Sequence, residues 1–214
     1  YQTGQIYRFK HAQTICFAFR KHLLSVIGGI VIKALILAAG LGSRLAPLTA
    51  DRPKSLVSVN GKPILFKQIE NLRKNGLADI TVVAGYKAEV LRAALEAEYP
   101  AIRYPDIRIV VNTAYATTNN MYSAYLARTT LPGEPFLMLN ADVFFDGSIL
   151  TDLLAWPAEN AIATDIGKYY EESMKVVAEN GRLVRISKQI SAADALGTSI
   201  DIYKFSAAGG QAFL

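Results

Sequence analysis

The chain contains one cysteine and two histidines, and all three (Cys16, His11 and His22) lie in its first thirty residues. From residue 31 onward there is neither residue type. That excludes a Ser-His-Asp triad, a cysteine nucleophile and any His- or Cys-ligated metal from the bulk of the 214-residue chain. One cysteine excludes a disulfide framework, and 15 Gly with 8 Pro are too few for a collagen-like or low-complexity protein. Acids are missing from the first thirty residues, where Arg8, Lys10, Arg20 and Lys21 stand unopposed, whereas residues 31–214 hold 19 basic against 18 acidic groups. The net charge of +5 is therefore mostly a property of the opening segment. A nucleic-acid partner, which a basic balance suggests, has no support beyond residue 30, and none is expected. Chemistry in the bulk must use Asp, Glu, Lys, Arg, Tyr, backbone amides or a hard metal ion.

A long apolar run is also missing. The stretch 23–32 is broken by Lys33 after about ten residues, roughly half a membrane span, so no membrane insertion is expected. Basic 9–21 followed by this run imitates a signal peptide, with Ala38-Ala39-Gly40 as a pseudo-cleavage site. Cleavage there would remove a strand that the following motif needs. The chain opens at Tyr1, as expected of a fragment or processed product. A natural start at Val31 is a second explanation, because a GTG start codon reads as Val. Residues 1–30 are thus expected to be a basic extension with no assigned role, and 31–214 one domain. A composition of 51% hydrophobic and 19% charged residues supports a substantial core.

Within 31–214, the continuous apolar run 32–39 ends in Gly and reads as a strand buried on both faces. Residues 80–84, 107–111 and 136–139 read as further strands. Helices are expected over 64–75, closed by Gly76, over 88–99 and over 120–128. Val57-Ser58-Val59 runs into an Asn60-Gly61 turn. This alternation, up to about residue 155, predicts βαβ units and a parallel sheet. Strands at 174–177, 183–186 and 199–205 then read as mixed strands closing over a face of that sheet.

The informative stretch is 33–56. A buried strand enters Gly40-Leu41-Gly42, so the chain can turn tightly and aim backbone N–H groups at an anion. Arg44 and Lys54 follow, with Pro47 and Pro53 stiffening the loop between them. Arg44 can grip a phosphate by its fork and Lys54 as a point charge. A Rossmann dinucleotide site needs Gly where Leu45 stands and an acid about 20 residues on, where Asn60 stands. A Walker-type loop needs Lys-Ser/Thr after its last glycine, but Gly61-Lys62 is followed by Pro63. Phe136–Asp142 reads as a buried strand ending in an acid, which suits a ligand site at the end of a parallel strand.

The run Leu37-Ala38-Ala39-Gly40-x-Gly42-x-Arg44-x-x-Pro47-x-Thr49, then Pro53-Lys54-x-Leu56 and Gly61-Lys62-Pro63, resembles the signature of the nucleotidyltransferases that join an NTP to a sugar-1-phosphate or a small phosphorylated alcohol. The resemblance implies a Rossmann-like three-layer α/β fold with a mostly parallel central sheet and extra mixed strands in the last third. It implies that Leu37, Ala38, Ala39, Gly40, Gly42 and Ser43 hold the nucleotide, with Gly85 and Tyr86 at the base. By the same resemblance Arg44 and Lys54 are catalytic, and Asp142 holds Mg2+. Asn112, Tyr115 and Asn120, within Asn-Thr-Ala-Tyr and Asn-Asn-Met-Tyr-Ser, are similar to the choline-phosphate cytidylyltransferase branch. So are Lys175 and Lys188, at positions where lysines of that branch meet the acceptor's phosphate. Asp201 stands where the branch usually has Gly, and is a candidate to contact a substrate ammonium or support metal. The family's second metal ligand usually lies nearer the C-terminus, and nothing before Leu214 clearly matches it, so a C-terminal truncation is expected.

These expectations add up to a cytoplasmic enzyme that moves a nucleoside monophosphate, CMP favoured, from an NTP to a small phosphorylated acceptor such as phosphocholine, with a homo-oligomer left open. A sugar-1-phosphate transferase using UTP or dTTP is the alternative within the class. A nucleotide-binding regulatory subunit is the alternative outside it.

Overall fold

The computed structural model describes residues 31–166, 169 and 171–214. The readings made on residues 1–30 lie outside the described residues. The chain starts with β1 (Lys33–Ala38), passes through a long loop with single 3₁₀ turns at Ser43–Leu45 and Lys54–Leu56, and forms the small hairpin β2 (Ser58–Val59) and β3 (Lys62–Pro63). Asn60 and Gly61 make its turn with φ of 50° and 78°, the paired positive values that such two-residue turns need. There follow α1 (Ile64–Lys74), β4 (Ile80–Ala84), α2 (Ala88–Glu98), β5 (Ile107–Val111), α3 (Asn120–Leu126) and β6 (Phe136–Asn140). The remainder is α4 (Ser148–Ala155), β7 (Ala161–Asp165), β8 (Lys175–Glu179), β9 (Arg182–Ser187), β10 (Gly197–Phe205) and α5 (Ala207–Phe213).

Among the described residues, eight of these strands form one sheet in the order β5-β4-β1-β6-β10-β8-β9, with β7 also paired to β10. The first four are parallel, Leu37 standing opposite Val83 on one side and Asn140 on the other. Continuous apolar runs form them because both faces are covered. Ala34, Ile36, Val82 and Leu139 pack towards Leu65, Ile69, Leu72 and Leu150, whereas Leu35, Leu37, Val83 and Met138 join Ala124 and Ala127 of the α3 region.

Three elements lie outside the sequence expectation (α4, β7 and α5), and one placement is corrected. The C-terminal strands do not close over a face of the sheet. β10 pairs antiparallel with β6, Ile202 opposite Leu139, so they extend the same sheet edgewise. This pairs the backbone groups that β6 would otherwise leave open at an edge. The expected helix over 120–128 ends at Leu126 and tightens into a 3₁₀ turn over Ala127–Thr130.

α1 is tied to the hairpin by Glu70, which accepts hydrogen bonds of 2.6 Å from Lys62 and from Lys74. These two ammonium groups hold its carboxyl near 2, below the usual 4.5. Because the folded value is depressed, the contribution is complete above the unfolded value and lost as pH falls from about 4.5 towards 2. Both lysines keep about half or more of their surface open to screening water, so Glu70→Gln is expected to cost at most about 1 kcal/mol at pH 7. Urea midpoints of wild type and variant should converge as the pH approaches 2.

Candidate active site

The chain leaves β1 towards β4 and β5 on one side and returns to β6 on the other. Such a reversal opens a crevice at the carboxyl ends of the parallel strands, where sheets of this type bind ligands. Three segments leave the sheet there: Ala39–Gly42 after β1, Gly85-Tyr86 after β4 and Ala141-Asp142 after β6. The Ala141 N–H donates to the Leu37 carbonyl at 3.0 Å, tying the first and third together.

Gly42 is left-handed, with φ of 67°. The Thr49 hydroxyl and the Leu45 N–H both donate to its carbonyl, at 3.1 and 2.9 Å, folding the loop back on itself. A Cβ on Gly42 would stand 3.0 Å from the Lys54 Cβ, so the glycine also admits the Pro53-Lys54 segment. Ser55 and Leu56 are buried and anchor that segment. Lys54 thereby reaches across the crevice, and its ammonium forms an ion pair with the Asp142 carboxylate. Both side chains keep about a third of their surface open. The two groups that sequence placed 88 residues apart are thus in contact. Ser43 and Arg44 lie on the exposed rim, beyond Gly40. Arg44 stands 4.0 Å from Glu172.

Gly85 follows β4, and a Cβ there would lie 2.7 Å from the Ala39 carbonyl and from the Tyr115 Cβ. The Tyr86 N–H donates to that same carbonyl at 3.0 Å, and its hydroxyl donates to the Thr49 carbonyl at 3.1 Å. Tyr86 and Tyr115 meet edge to face, with centroids 6.2 Å apart. This side of the crevice is close-packed. Gly85→Ala is therefore expected to destabilise by about 1–3 kcal/mol through overpacking, read as a lower thermal midpoint, and to weaken nucleotide binding in titration.

On the α3 side, Asn119 caps the helix by accepting from the Tyr122 N–H at 3.2 Å, while Asn120 donates to the Asn140 side chain at 3.2 Å. Asn112 is buried and fully used: it donates to Thr118 and Ser123 and accepts from the Ala114 N–H. These bonds shape the loop between β5 and α3. Asp201 is left-handed, with φ of 58°. A non-glycine residue there costs about 1–2 kcal/mol, which accounts physically for glycine being usual in the resembling branch. Its carboxylate accepts from the Tyr203 hydroxyl at 3.0 Å. Burial first, and the Asp201 charge second, push the Tyr203 hydroxyl well above its ordinary range.

The two lysines differ. Lys175 is buried and spends its ammonium on the carbonyls of Lys188, at 2.8 Å, and Glu171, at 3.2 Å. It braces a turn, with its ammonium committed to these carbonyls. Lys188 is half exposed and pairs with Glu172 at 2.9 Å. Its hydrogen bond and charge hold the Glu172 carboxyl below its usual value, with Arg44 adding a smaller pull. Glu172 thus links two cations that sequence reasoning had named, and nothing in its local pattern marked it. A hollow of about 460 Å³ beside α2 and β5, lined by Tyr99, Ile107 and Ile109 among others, shares none of these residues.

Among the described residues, no group of three or more acids, His or Cys stands together, and Asp201 is turned to Tyr203. Asp142 is left as a single, partly open carboxylate at a strand end. Mg2+ usually takes only one or two protein carboxylates and fills its sphere with phosphate oxygens and water. The residues present fit an ion shared with a nucleotide, and do not form a cage for an ion held by protein alone.

Residues 33–173 match the family described as nucleotidyl transferase. The chain is 39% identical over 134 residues to a CMP-5'-(3-aminopropyl)phosphonate synthase of Streptomyces rubellomurinus, covering 63% of this chain and 21% of that protein. It is 45% identical over 100 residues to a choline-phosphate cytidylyltransferase of Streptococcus pneumoniae, covering 47% and 41%. The chain thus spans less than half the length of either relative. A solved structure of CTP:phosphocholine cytidylyltransferase from Streptococcus pneumoniae superposes with a TM-score of 0.57 at 28% identity, over 86% of this chain and 74% of that one. The inositol-1-phosphate CTP transferase of T. maritima, at 21% identity and a TM-score of 0.69, shares the fold. With the match extending over well more than half of the chain, from β1 past Asp142, the protein belongs to the nucleotidyl transferase family.

Proposed function

We propose that this chain transfers a nucleoside monophosphate, CMP in preference to others, from an NTP to a small phosphorylated acceptor of the phosphocholine type, releasing pyrophosphate. The observation that carries the reading is the contact of Lys54 with Asp142 across the crevice, beneath the Gly40–Gly42 loop. The relatives' cytidylyltransferase activities favour CTP. An acceptor phosphate oxygen attacks the α-phosphorus in line, and pyrophosphate leaves from the opposite side. The nucleophile is already anionic, so no general base is required, in keeping with the lack of histidine among the described residues. The barrier is repulsion between anions, and the protein lowers it by positioning and by fixed positive charge.

The loop after β1 turns backbone N–H groups to the triphosphate, and Arg44, exposed on the rim, takes the β- and γ-phosphates and the departing pyrophosphate. Lys54 stands between donor and acceptor phosphates. Gly85, Tyr86 and the Tyr115 ring shape the nucleobase side. Asn120 and Lys188 serve the acceptor side, where Asp201 would exchange the Tyr203 hydroxyl for a substrate ammonium. Asp142 would hold Mg2+ together with the phosphates, and the ion supplies charge neutralisation at the reacting oxygens. The reading takes 31–214 as the catalytic domain, working in the cytoplasm.

Pyrophosphate release is to be measured with Mg2+ over a matrix of CTP, UTP, dTTP, GTP and ATP against phosphocholine, 2-aminoethylphosphonate and glucose-1-phosphate. Acceptor-dependent release with CTP and either of the first two acceptors is expected. Release confined to UTP or dTTP with the sugar phosphate would replace this reading with the sugar-nucleotide one.

A further inference from the structure

α1 carries a core-facing stripe interrupted by polar residues. Gln68 and Asn71 are 0% and 2% exposed, among Ile64, Leu65, Ile69 and Leu72. A buried amide is costly unless its N–H groups are paired. Gln68 Nε2 donates to the Asn140 carbonyl at 2.9 Å and to the Val143 carbonyl at 2.7 Å. Those carbonyls flank Ala141 and Asp142. One turn further along the helix, Asn71 donates to the Phe145 carbonyl at 2.9 Å, and Asn75, just past its end, donates to the Gly147 carbonyl at 3.2 Å. Positions 68, 71 and 75 follow one helical face, so one stripe of amides grips the segment between β6 and α4 at four carbonyls. The Gln68 side-chain carbonyl has no hydrogen-bond partner among the described residues. Its donors alone set the orientation, since a flipped amide would put oxygen against two carbonyl oxygens.

We infer that Gln68 is a positioning residue for nucleotidyl transfer: by holding the carbonyls on either side of Asp142, it keeps that carboxylate in register with Lys54. The inference rests on the functional reading above. Gln68 is fully buried and touches no substrate, so its effect reaches the reaction only through the Asp142 segment.

Gln68→Met keeps the length of the side chain and removes both donors. It is expected to lower kcat by about 10- to 100-fold, the scale of an ångström-size misplacement, with the KM values for CTP and phosphocholine within about twofold of wild type. In an Asp142→Asn background the same substitution should cost nothing further, because the group it positions is gone. Amide hydrogen exchange, read without substrate, should rise over residues 140–147 in Gln68→Met. Should the Met variant fail to fold, Asn71→Leu frees the Phe145 carbonyl and should show a smaller kcat loss with the same dependence on Asp142. A folded Gln68→Met with wild-type kcat, or an equal loss in both backgrounds, overturns the inference while leaving the function standing. A wild type that transfers no nucleotide overturns the functional reading and the catalytic role together, and the exchange measurement then still reports whether Gln68 holds the segment.

Discussion

Lys54→Ala is expected to turn over roughly 10³-fold more slowly than wild type while melting at nearly the same temperature. The two halves of that result have separate origins. Lys54 is a partly exposed side chain that pairs with Asp142, and pairs this open contribute about 0–1 kcal/mol to stability. Its neighbours Ser55 and Leu56 carry the anchoring of the segment and are untouched. In the proposed reaction, by contrast, its ammonium would stand where two phosphate groups approach each other. Removing one fixed charge from such a site costs about 3–4 kcal/mol of barrier. Initial rates and a thermal melt on the same preparation check both halves. An alanine variant with normal turnover would remove Lys54 from the mechanism.

Asp142→Asn is expected to lower kcat by about 10²- to 10³-fold, again with little change in thermal midpoint. The substitution keeps the volume and the hydrogen-bonding oxygen and deletes the charge. Two consequences follow for the crevice: Lys54 loses its ion-pair partner, and the carboxylate that follows β6 is gone. Because the two residues are in contact and the proposed mechanism has them act on the same phosphates, the double variant Lys54→Ala/Asp142→Asn should lose much less than the product of the single losses. Fully multiplicative losses in kcat would mean that the contact seen between them has no part in catalysis.

The turn at Gly42 and the hairpin turn after it were legible in sequence because their residues answer local demands. Gly42 needs a positive φ and room for Lys54, and Asn60-Gly61 must supply two left-handed residues in succession. The buried parallel strands were legible as unbroken apolar runs. α5 was not, since Ala207–Phe213 contains Gly209 and Gly210, poor helix formers. It is held instead by the Ser206 cap, by a tilted ring contact of Phe213 with Phe205, and by close approach of Gly210 to the Phe136 ring. Lys175 read as a surface lysine because nothing local shows that the carbonyls of Glu171 and Lys188 enclose it. Gln68 and Asn71 could have been noticed as polar residues on the apolar face of α1, but the carbonyls they serve lie more than 70 residues away. Local chemistry reads out of a sequence, and what a side chain meets across the fold does not.

The central claim is that the crevice between β1 and β6 joins a nucleotide to a phosphorylated acceptor. Phosphorus NMR of the protein with CTP, phosphocholine and Mg2+ tests it most directly. The account predicts the growth of one pyrophosphate for each new diphosphate-linked product, at a rate that Lys54→Ala lowers roughly 10³-fold. Saturable CTP binding with an unchanged phosphorus spectrum would contradict it and mark the chain as a nucleotide-binding protein without transfer chemistry.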